Sequence, residues 1–189
     1  GVFWFTGTGL CELPSRDAYF AALGARGRAA NTVFDLEYQP SFWASRADAR
    51  AAYESALRYA TVAVGSPDEC VTAVGEGEPR AAAAALLARG VRLAVVKQGA
   101  AGVLARTADE TVEVPAVEIE MVNGLGAGDA FGGALCHGLL AGWPLARVIR
   151  FANAAGALVA SRLAGPAAMP SSAEVADLLA SVEPRHPVG

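Results

Sequence analysis

Short apolar runs alternate with segments of helical spacing through the first half of the chain. The runs at residues 2–6, 32–36, 60–64 and 91–96 are rich in β-branched and aromatic residues and predict buried strands. The predicted helices between them are 15–30, capped by Ser15, then 46–59, a short helix opened by Ser66 and Pro67, and 79–88, ended by Gly90. Such alternation predicts an α/β fold with a mostly parallel sheet, covered by helices on both faces.

The second half of the chain has a different pattern. Asp109 and Glu110 indicate a turn between two short strands, 103–105 and 111–114. A connector then spans 115–125, and helices are predicted at 127–141, 145–162 and 172–180. Ser171 and Glu174 have the spacing of a capping box before the last helix. Because no repeat or low-complexity linker divides the chain, we expect one domain over residues 1–189.

Composition and charge narrow the class of protein. Hydrophobic residues make up 53% of the 189 residues, so a sizeable core is available. The formal charge of -4 and the lack of a basic run argue against nucleic acid as a partner. An apolar run of membrane-spanning length and a leader pattern are both missing from the sequence, so we expect no membrane partner. The spacing of Cys11, Cys70 and Cys136 fits neither a disulfide framework nor a metal site and favours a cytoplasmic protein.

The segment from Gly126 to Asp129 carries the clearest chemical signal. Small residues before a helix allow backbone N–H groups to converge at its positive end, which is typical of an anion site. A carboxylate there repels phosphate, but it fits a base that takes a proton from an attacking hydroxyl. The alternative is that Asp129 only caps the helix. These residues alone leave both possibilities open, and the glycine spacing fits neither a Rossmann fingerprint nor a P-loop.

The segment 126–131 resembles the signature of PfkB/ribokinase carbohydrate kinases. Further matches follow the family's order: 34–43 resembles its D-x-N-x-R-x-x-x-W segment, 65–69 stands where the family has Asn-x-x-Glu, 96–102 resembles its nucleotide loop, and 151–157 resembles its late helix. Asn123-Gly124-Leu125 before the signature is similar to the form in the members that phosphorylate 5-dehydro-2-deoxygluconate in inositol catabolism. The resemblance implies a three-layer α/β/α ribokinase-like fold.

The family resemblance also implies a function, which is ATP-dependent phosphorylation of a sugar or sugar-acid hydroxyl. The first choice of acceptor is 5-dehydro-2-deoxygluconate, and the alternatives are 2-keto-3-deoxygluconate or the acceptor of another PfkB sugar kinase. A non-catalytic nucleotide-binding module is the alternative from another class. An oxidoreductase with a dinucleotide fold is disfavoured by the glycine spacing.

The resemblance assigns roles to particular residues. It makes Asp129 the catalytic base. It also implies that the backbone amides of Gly126, Ala127 and Gly128 bind the γ-phosphate of ATP. The residues expected to bind ATP are Ser66, Lys97, Gly99, Gly102 and Asn153, and those expected to hold Mg²⁺ through water are Asp68 and Glu69. A monovalent cation such as K⁺ is an optional further cofactor.

Several of these residues have a simpler structural alternative. The two acids suit the first turn of a helix, the glycines suit a tight turn, and Asn153 suits packing between helices. Asp35 is open between a structural acid and a contact to the phosphates. His137 and His186 show no partner pattern for catalysis or metal binding.

The kinases of this family are considerably longer than 189 residues. Their N-terminal part supplies the first strands, a small β lid and most contacts to the acceptor sugar. We therefore expect this chain to begin after those elements, as the nucleotide-binding and catalytic part of the fold. A sheet that lacks its first strands has an exposed edge that invites association, so a homodimer is a further expectation.

Overall fold

The computed structural model describes residues 1–163 and 169–182. The chain divides into two compact units. The first comprises Gly1–Gly99 and Val103–Glu113, and the second comprises Ala100–Gly102 and the chain from Val114 onward. His186 lies outside the described residues. The assignment of the whole chain to one domain stays a prediction.

A six-stranded sheet forms the centre of the first unit. Its strands, in both chain and spatial order, are β1 (Phe3–Thr6), β2 (Thr32–Asp35), β3 (Val62–Gly65), β4 (Leu93–Lys97), β5 (Val103–Arg106) and β6 (Thr111–Val114). Strands β1 to β4 are parallel, and β5 runs antiparallel to β4. The prediction of an α/β fold with a mostly parallel sheet is confirmed.

Four helices connect the parallel strands. They are α1 (Ser15–Arg26), α2 (Arg46–Leu57), α3 (Pro67–Val74) and α4 (Pro79–Ala88). Because consecutive strands are neighbours and βαβ crossovers are right-handed, these helices follow one face of the sheet. The row Phe5, Phe34, Ala63 and Ala94 crosses that face in register and is fully buried with Leu23, Tyr53 and Leu86 of the helices.

The start and end of α1 differ from the sequence prediction. Pro14 is the N-cap residue, and the Ser15 hydroxyl instead donates a hydrogen bond to the Gly9 carbonyl, so Ser15 does not cap the helix. The helix ends at Arg26, four residues before the predicted end. Its last backbone hydrogen bond is donated by Gly27 N–H to the Leu23 carbonyl. The Arg26 side chain then bonds the Ala30 carbonyl and the Thr32 hydroxyl, which fixes the chain as it enters β2.

The second unit is helical in its described part. It contains α5 (Ala127–Leu140), α6 (Leu145–Ala160) and α7 (Ser172–Val182). The predicted capping box of α7 is present, because Ser171 N–H donates to Glu174 Oε2 at 2.8 Å and Glu174 N–H donates to Ser171 Oγ at 3.3 Å. The ring of His137 contacts those of Trp143 and Phe151 between α5 and α6. Among the described residues, no helix combines the length and apolar character needed to cross a membrane.

Candidate active site

The carboxyl ends of β1 to β4 bring polar residues to one edge of the sheet. Thr6 ends β1, Asp35 ends β2, Gly65 ends β3 and Lys97 ends β4. Parallel strands deliver their carboxyl ends to the same edge, and ligands of open α/β sheets bind there. The predicted nucleotide residues Ser66 and Lys97 therefore lie at one edge of the first unit.

Asp35 and Lys97 form an ion pair at this edge. Lys97 Nζ lies 3.9 Å from Asp35 Oδ1. Asp35 is only 9% exposed, and its Oδ1 accepts no hydrogen bond from the residues that the structure describes. Burial raises the pKa of the Asp35 carboxyl to about 6, against the opposing effect of the Lys97 ammonium. Asp35 thus faces Lys97 at this edge, and a contact to the phosphates stays a prediction.

Sequence reasoning missed two polar residues next to this pair. Thr8 Oγ1 donates a 2.5 Å hydrogen bond to Glu37 Oε2, and Tyr53 donates a 2.9 Å hydrogen bond to the Glu37 carbonyl. Glu37 stands where the family segment has asparagine, so it adds a negative charge near Asp35. The available signal was position, because Thr8 and Glu37 lie two residues beyond the ends of β1 and β2 and therefore near their carboxyl ends.

The first turn of α3 contains the predicted magnesium residues. Glu69 Oε2 accepts a 2.5 Å hydrogen bond from Ser66 N–H, and Ser66 Oγ accepts one from Glu69 N–H, which completes a capping box. Asp68 accepts two bonds from Arg46 Nη2, at 3.0 and 3.1 Å. Within the described ranges, no group of three or more His, Cys, Asp or Glu residues could hold a metal ion. Both acids thus have partners within the protein, and their role in holding magnesium through water stays a prediction.

The turn between β4 and β5 contains Gly99 and Gly102, the two glycines among the predicted nucleotide residues. Gly99 and Gly102 have φ angles of 57° and 89°. A Cβ atom at Gly102 would lie 2.0 Å from the Val114 carbonyl oxygen, which no side chain can accommodate. Gly102 is thus required by the fold alone, and a role in ATP binding stays a prediction.

The segment before α5 forms a tight turn at the start of that helix. Gly126 is the N-cap residue with a φ of 84°, and Asn123 Oδ1 accepts a 2.9 Å hydrogen bond from Leu125 N–H. Ala127 N–H donates to the Gly124 carbonyl at 3.2 Å. Ala127 is therefore already engaged within the turn, whereas Gly128 N–H belongs to the first helical turn, whose amides have no partner inside the helix.

Asp129 is exposed at the third position of α5. The helix start has no side-chain capping bond, and the N-cap position belongs to Gly126. The N-cap alternative that the sequence left open for Asp129 is therefore wrong. Its carboxylate lines a groove of about 270 Å³ in the second unit, together with His137, Phe151, Met169, Ser172 and Val175. An exposed carboxylate beside a helix N-terminus and an open groove can accept a proton from a bound hydroxyl.

Asn153 lies on α6 and has a structural partner. Its side-chain Nδ2 donates a 2.8 Å hydrogen bond to the carbonyl of Pro115, at the start of the connector that leads to α5. This bond ties the connector to α6. It supports the packing alternative for Asn153, and a contact to adenine stays a prediction.

Comparison with known proteins places the chain in a family. The model of the pfkB family of carbohydrate kinases matches residues 3–171. The chain belongs to this family. A 5-dehydro-2-deoxygluconokinase of Listeria monocytogenes is 30% identical over 187 residues, which cover 96% of this chain and 57% of that protein. A 5-dehydro-2-deoxygluconokinase of Shouchella clausii is also 30% identical, over 189 residues. The chain thus spans little more than half the length of these relatives.

Solved structures of family kinases share the fold. The aminoimidazole riboside kinase of Salmonella enterica, in complex with aminoimidazole riboside and an ATP analog, superposes with a TM-score of 0.83 at 28% identity. The match covers 94% of this chain and 62% of that one. The fructokinase of Vibrio cholerae, bound to fructose, ADP and calcium, gives a TM-score of 0.82 at 25% identity, over 93% of this chain and 59% of that one. The ribokinase-like fold expected from the sequence is confirmed.

Proposed function

We propose that this pfkB-family chain is the nucleotide-binding and catalytic part of an ATP-dependent sugar kinase, with Asp129 as its base. The observation that carries the proposal is the position and exposure of the Asp129 side chain. Its carboxylate stands exposed in the first turn of α5, without the N-cap role that would otherwise explain it. Family membership supplies the reaction class.

The chemistry assigned to this site is an in-line phosphoryl transfer. The acceptor hydroxyl oxygen forms a bond to the γ-phosphorus while the bond from that phosphorus to the bridging oxygen of ADP breaks. Asp129 takes the hydroxyl proton and releases it to solvent after the transfer. Gly128 N–H would stabilise the charge on the transferred group, while Gly126 and Ala127, whose N–H is bonded to the Gly124 carbonyl, would hold the turn that presents it. Loss of one preorganised donor of this kind costs on the order of a hundredfold in rate.

We propose 5-dehydro-2-deoxygluconate as the acceptor, which would place the enzyme in inositol catabolism. Support comes from the two relatives that carry this substrate in their names and from the Asn123-Gly124-Leu125 turn. 2-Keto-3-deoxygluconate is the alternative acceptor within the family. We expect a cytoplasmic enzyme, in keeping with the free thiols of Cys11, Cys70 and Cys136. A small sugar acid is its proposed partner, without nucleic acid or membrane, and a homodimer stays a prediction.

The nucleotide is proposed to enter as its magnesium complex. Since Asp68 is paired with Arg46 and Glu69 is part of the capping box, neither fits a direct ligand. Magnesium usually keeps several waters and binds through substrate phosphates, so the role proposed for Glu69 is a contact through water. Ser66, Lys97, Gly99, Gly102 and Asn153 remain the proposed ATP residues. K⁺ stays an optional addition to the assay.

The proposal is tested by ADP release with MgATP and 5-dehydro-2-deoxygluconate, with 2-keto-3-deoxygluconate and fructose as competing acceptors. Asp129→Asn should lower kcat by at least about a hundredfold while MgATP affinity stays within about twofold. Asp109→Asn, which removes another exposed acid, from the β5–β6 turn, is the matched control and should retain full activity. Turnover that survives Asp129→Asn would overturn the assignment of the base.

The chain spans only 57% of the length of its relative from Listeria monocytogenes, so a non-catalytic nucleotide-binding module is the alternative from another class. A chain that binds MgATP without turnover would act as a nucleotide-binding module. The same assay on a chain extended at its N-terminus separates the two. Turnover in the extended chain alone means that the acceptor contacts lie in the added segment. Binding without turnover in both chains would favour the module.

A further inference from the structure

We propose that Asp35 is a positioning residue that holds the Lys97 ammonium in place for the phosphates of the nucleotide. The inference rests on the proposed function, because it takes Lys97 as a nucleotide contact. It adds a residue to the site for which the sequence left two roles open. Three observations carry it: the strand register, the distribution of hydrogen bonds among the nearby carboxylates, and the burial of the pair.

The register places both side chains on the same face of the sheet. Asp35 is the partner of Val64 on β3, and Val64 is the partner of Val95 on β4. Lys97 lies two residues beyond Val95 and therefore points to the same face. Its side chain must reach back across the end of β3 to bring Nζ within 3.9 Å of Asp35 Oδ1. The pair thus spans three strands at the edge where ligands of such sheets bind.

The neighbouring carboxylates already have other partners. The Glu37 carboxylate accepts a hydrogen bond from the Thr8 hydroxyl, and that of Glu69 accepts one from Ser66 N–H. The Asp68 carboxylate accepts one from the Arg46 guanidinium. Among the residues that the structure describes, Asp35 Oδ1 is the acidic oxygen at this edge that is buried without a hydrogen bond. Lys97, the single lysine of the sequence, is the cation that faces it. The contacts therefore single out Asp35 as the group that orients Lys97.

Burial gives the pair the rigidity that a positioning role needs. The Asp35 side chain is 13% exposed and that of Lys97 is 24% exposed, so solvent screens their attraction far less than on an open surface. A free lysine side chain samples many rotamers, and fixing them before the ligand arrives lowers the cost of binding. Asp35 would thus favour nucleotide binding although its own charge opposes that of the phosphates.

Asp35 could act by repelling the phosphates or by positioning Lys97. The two roles predict opposite changes in MgATP affinity when its charge is removed. If Asp35 acted only through its charge, Asp35→Asn would remove a repulsive group and MgATP would bind more tightly. If it positions Lys97, the same substitution frees the lysine and MgATP binds more weakly. Groups in contact are energetically coupled, so we expect the Kd to rise about tenfold.

The first experiment is a double-mutant cycle on MgATP affinity, measured by calorimetry on the full chain. Asp35→Asn and Lys97→Met are made singly and together, and circular dichroism checks that each variant folds. Asp35→Asn should raise the Kd about tenfold in the parent but change it less than about twofold in the Lys97→Met background. Glu113→Gln removes one carboxylate from β6 and should leave the Kd unchanged. A lower Kd in Asp35→Asn, or an equal change in both backgrounds, would overturn the proposal.

A second readout needs no nucleotide. Because Lys97 is the single lysine, a chain labelled with ¹³Cε-lysine gives one side-chain signal. We expect this signal to move toward the position of an exposed lysine in Asp35→Asn and to return part of the way in Asp35→Glu. An unchanged signal in Asp35→Asn would refute the positioning role even if MgATP binds. Conversely, a shifted signal in a chain that does not bind MgATP would keep the pair and reject the proposed nucleotide function.

Discussion

Asp35 Oδ1 lies 3.9 Å from Lys97 Nζ, although the two residues end strands that are separated by β3. The pair joins two segments that are 62 positions apart in the chain (97 − 35) at the carboxyl edge of the parallel strands. It also places a buried acid in a position where its protonation state depends on the fold. This relationship has a consequence for stability that can be measured separately from catalysis.

The stability of the chain should depend on pH through Asp35. The folded carboxyl has a pKa of about 6, above its ordinary value of 3.8, mainly because burial disfavours the charged form. Between these values the folded state binds more protons than the unfolded state, so the free energy of unfolding falls as pH rises through this window, by roughly 3 kcal/mol. The contribution is fully present below about pH 4 and lost above about pH 6.

Asp35→Asn should remove this dependence. The difference in free energy of unfolding between Asp35→Asn and the parent should increase between pH 4 and pH 6 and then level off, as measured by urea unfolding at several pH values. Glu113→Gln provides the baseline for a change of one charge at an exposed position. Parallel pH profiles for Asp35→Asn and the parent would show that the carboxyl is not perturbed by the fold.

Gly126→Ala should destabilise the turn that leads into α5 and Asp129. Gly126 has a φ of 84°, and an added Cβ would meet Met169 Cε at 3.2 Å. A left-handed conformation costs a residue with a side chain roughly 1–2 kcal/mol. Gly133→Ala on the same helix, where an added Cβ meets nothing within 4 Å, should instead stabilise the chain by roughly 0.5–1 kcal/mol. Thermal unfolding of the two variants gives the comparison, and equal shifts would contradict the strained geometry.

The two acids of α3 should respond differently to neutralisation. Glu69→Gln keeps a side-chain acceptor for Ser66 N–H but removes the charge, so the helix should retain its capping box. If Glu69 contacts magnesium through water, the magnesium concentration needed for ATP binding should rise about tenfold. Asp68→Asn should leave that requirement unchanged because its carboxylate is held by Arg46. A titration of magnesium at fixed ATP measures both, and a larger effect of Asp68→Asn would reverse the assignment.

Asn153→Asp distinguishes a structural asparagine from one that contacts the nucleotide. The substitution removes the N–H donor to the Pro115 carbonyl and puts a carboxylate oxygen in its place. We expect a loss of roughly 1 kcal/mol in the free energy of unfolding, because this bond fixes the connector to α6. Chemical unfolding and MgATP binding are measured on the same sample. Weaker MgATP binding with no loss of stability would instead support a direct contact.

Local patterns in the sequence were sufficient for many elements. The helix Pro79–Ala88 and the strand Thr111–Val114 have the bounds that their patterns predict, because alanine-rich spacing and a flanking turn signal both act within a few residues. The capping box at Ser171 also follows from spacing alone, whereas the one at Ser66 was found only in the structure. The early end of α1 was not predictable in this way, because Arg26 there anchors the following strand through contacts to Ala30 and Thr32.

Some features of the candidate site were likewise predictable from the sequence, and others were not. The sequence by itself determined the family signature at 126–131 and the position of an acid at a helix start, since both depend on neighbouring residues. The tertiary structure decided that Gly126, and not Asp129, is the cap, and that Asp35 faces Lys97 across β3. Capping depends on the conformation of one residue, and the ion pair depends on the register of three strands. The spacing of residues along the chain gives neither the φ angle of Gly126 nor the strand register, and the ion pair arises only when distant segments pack together.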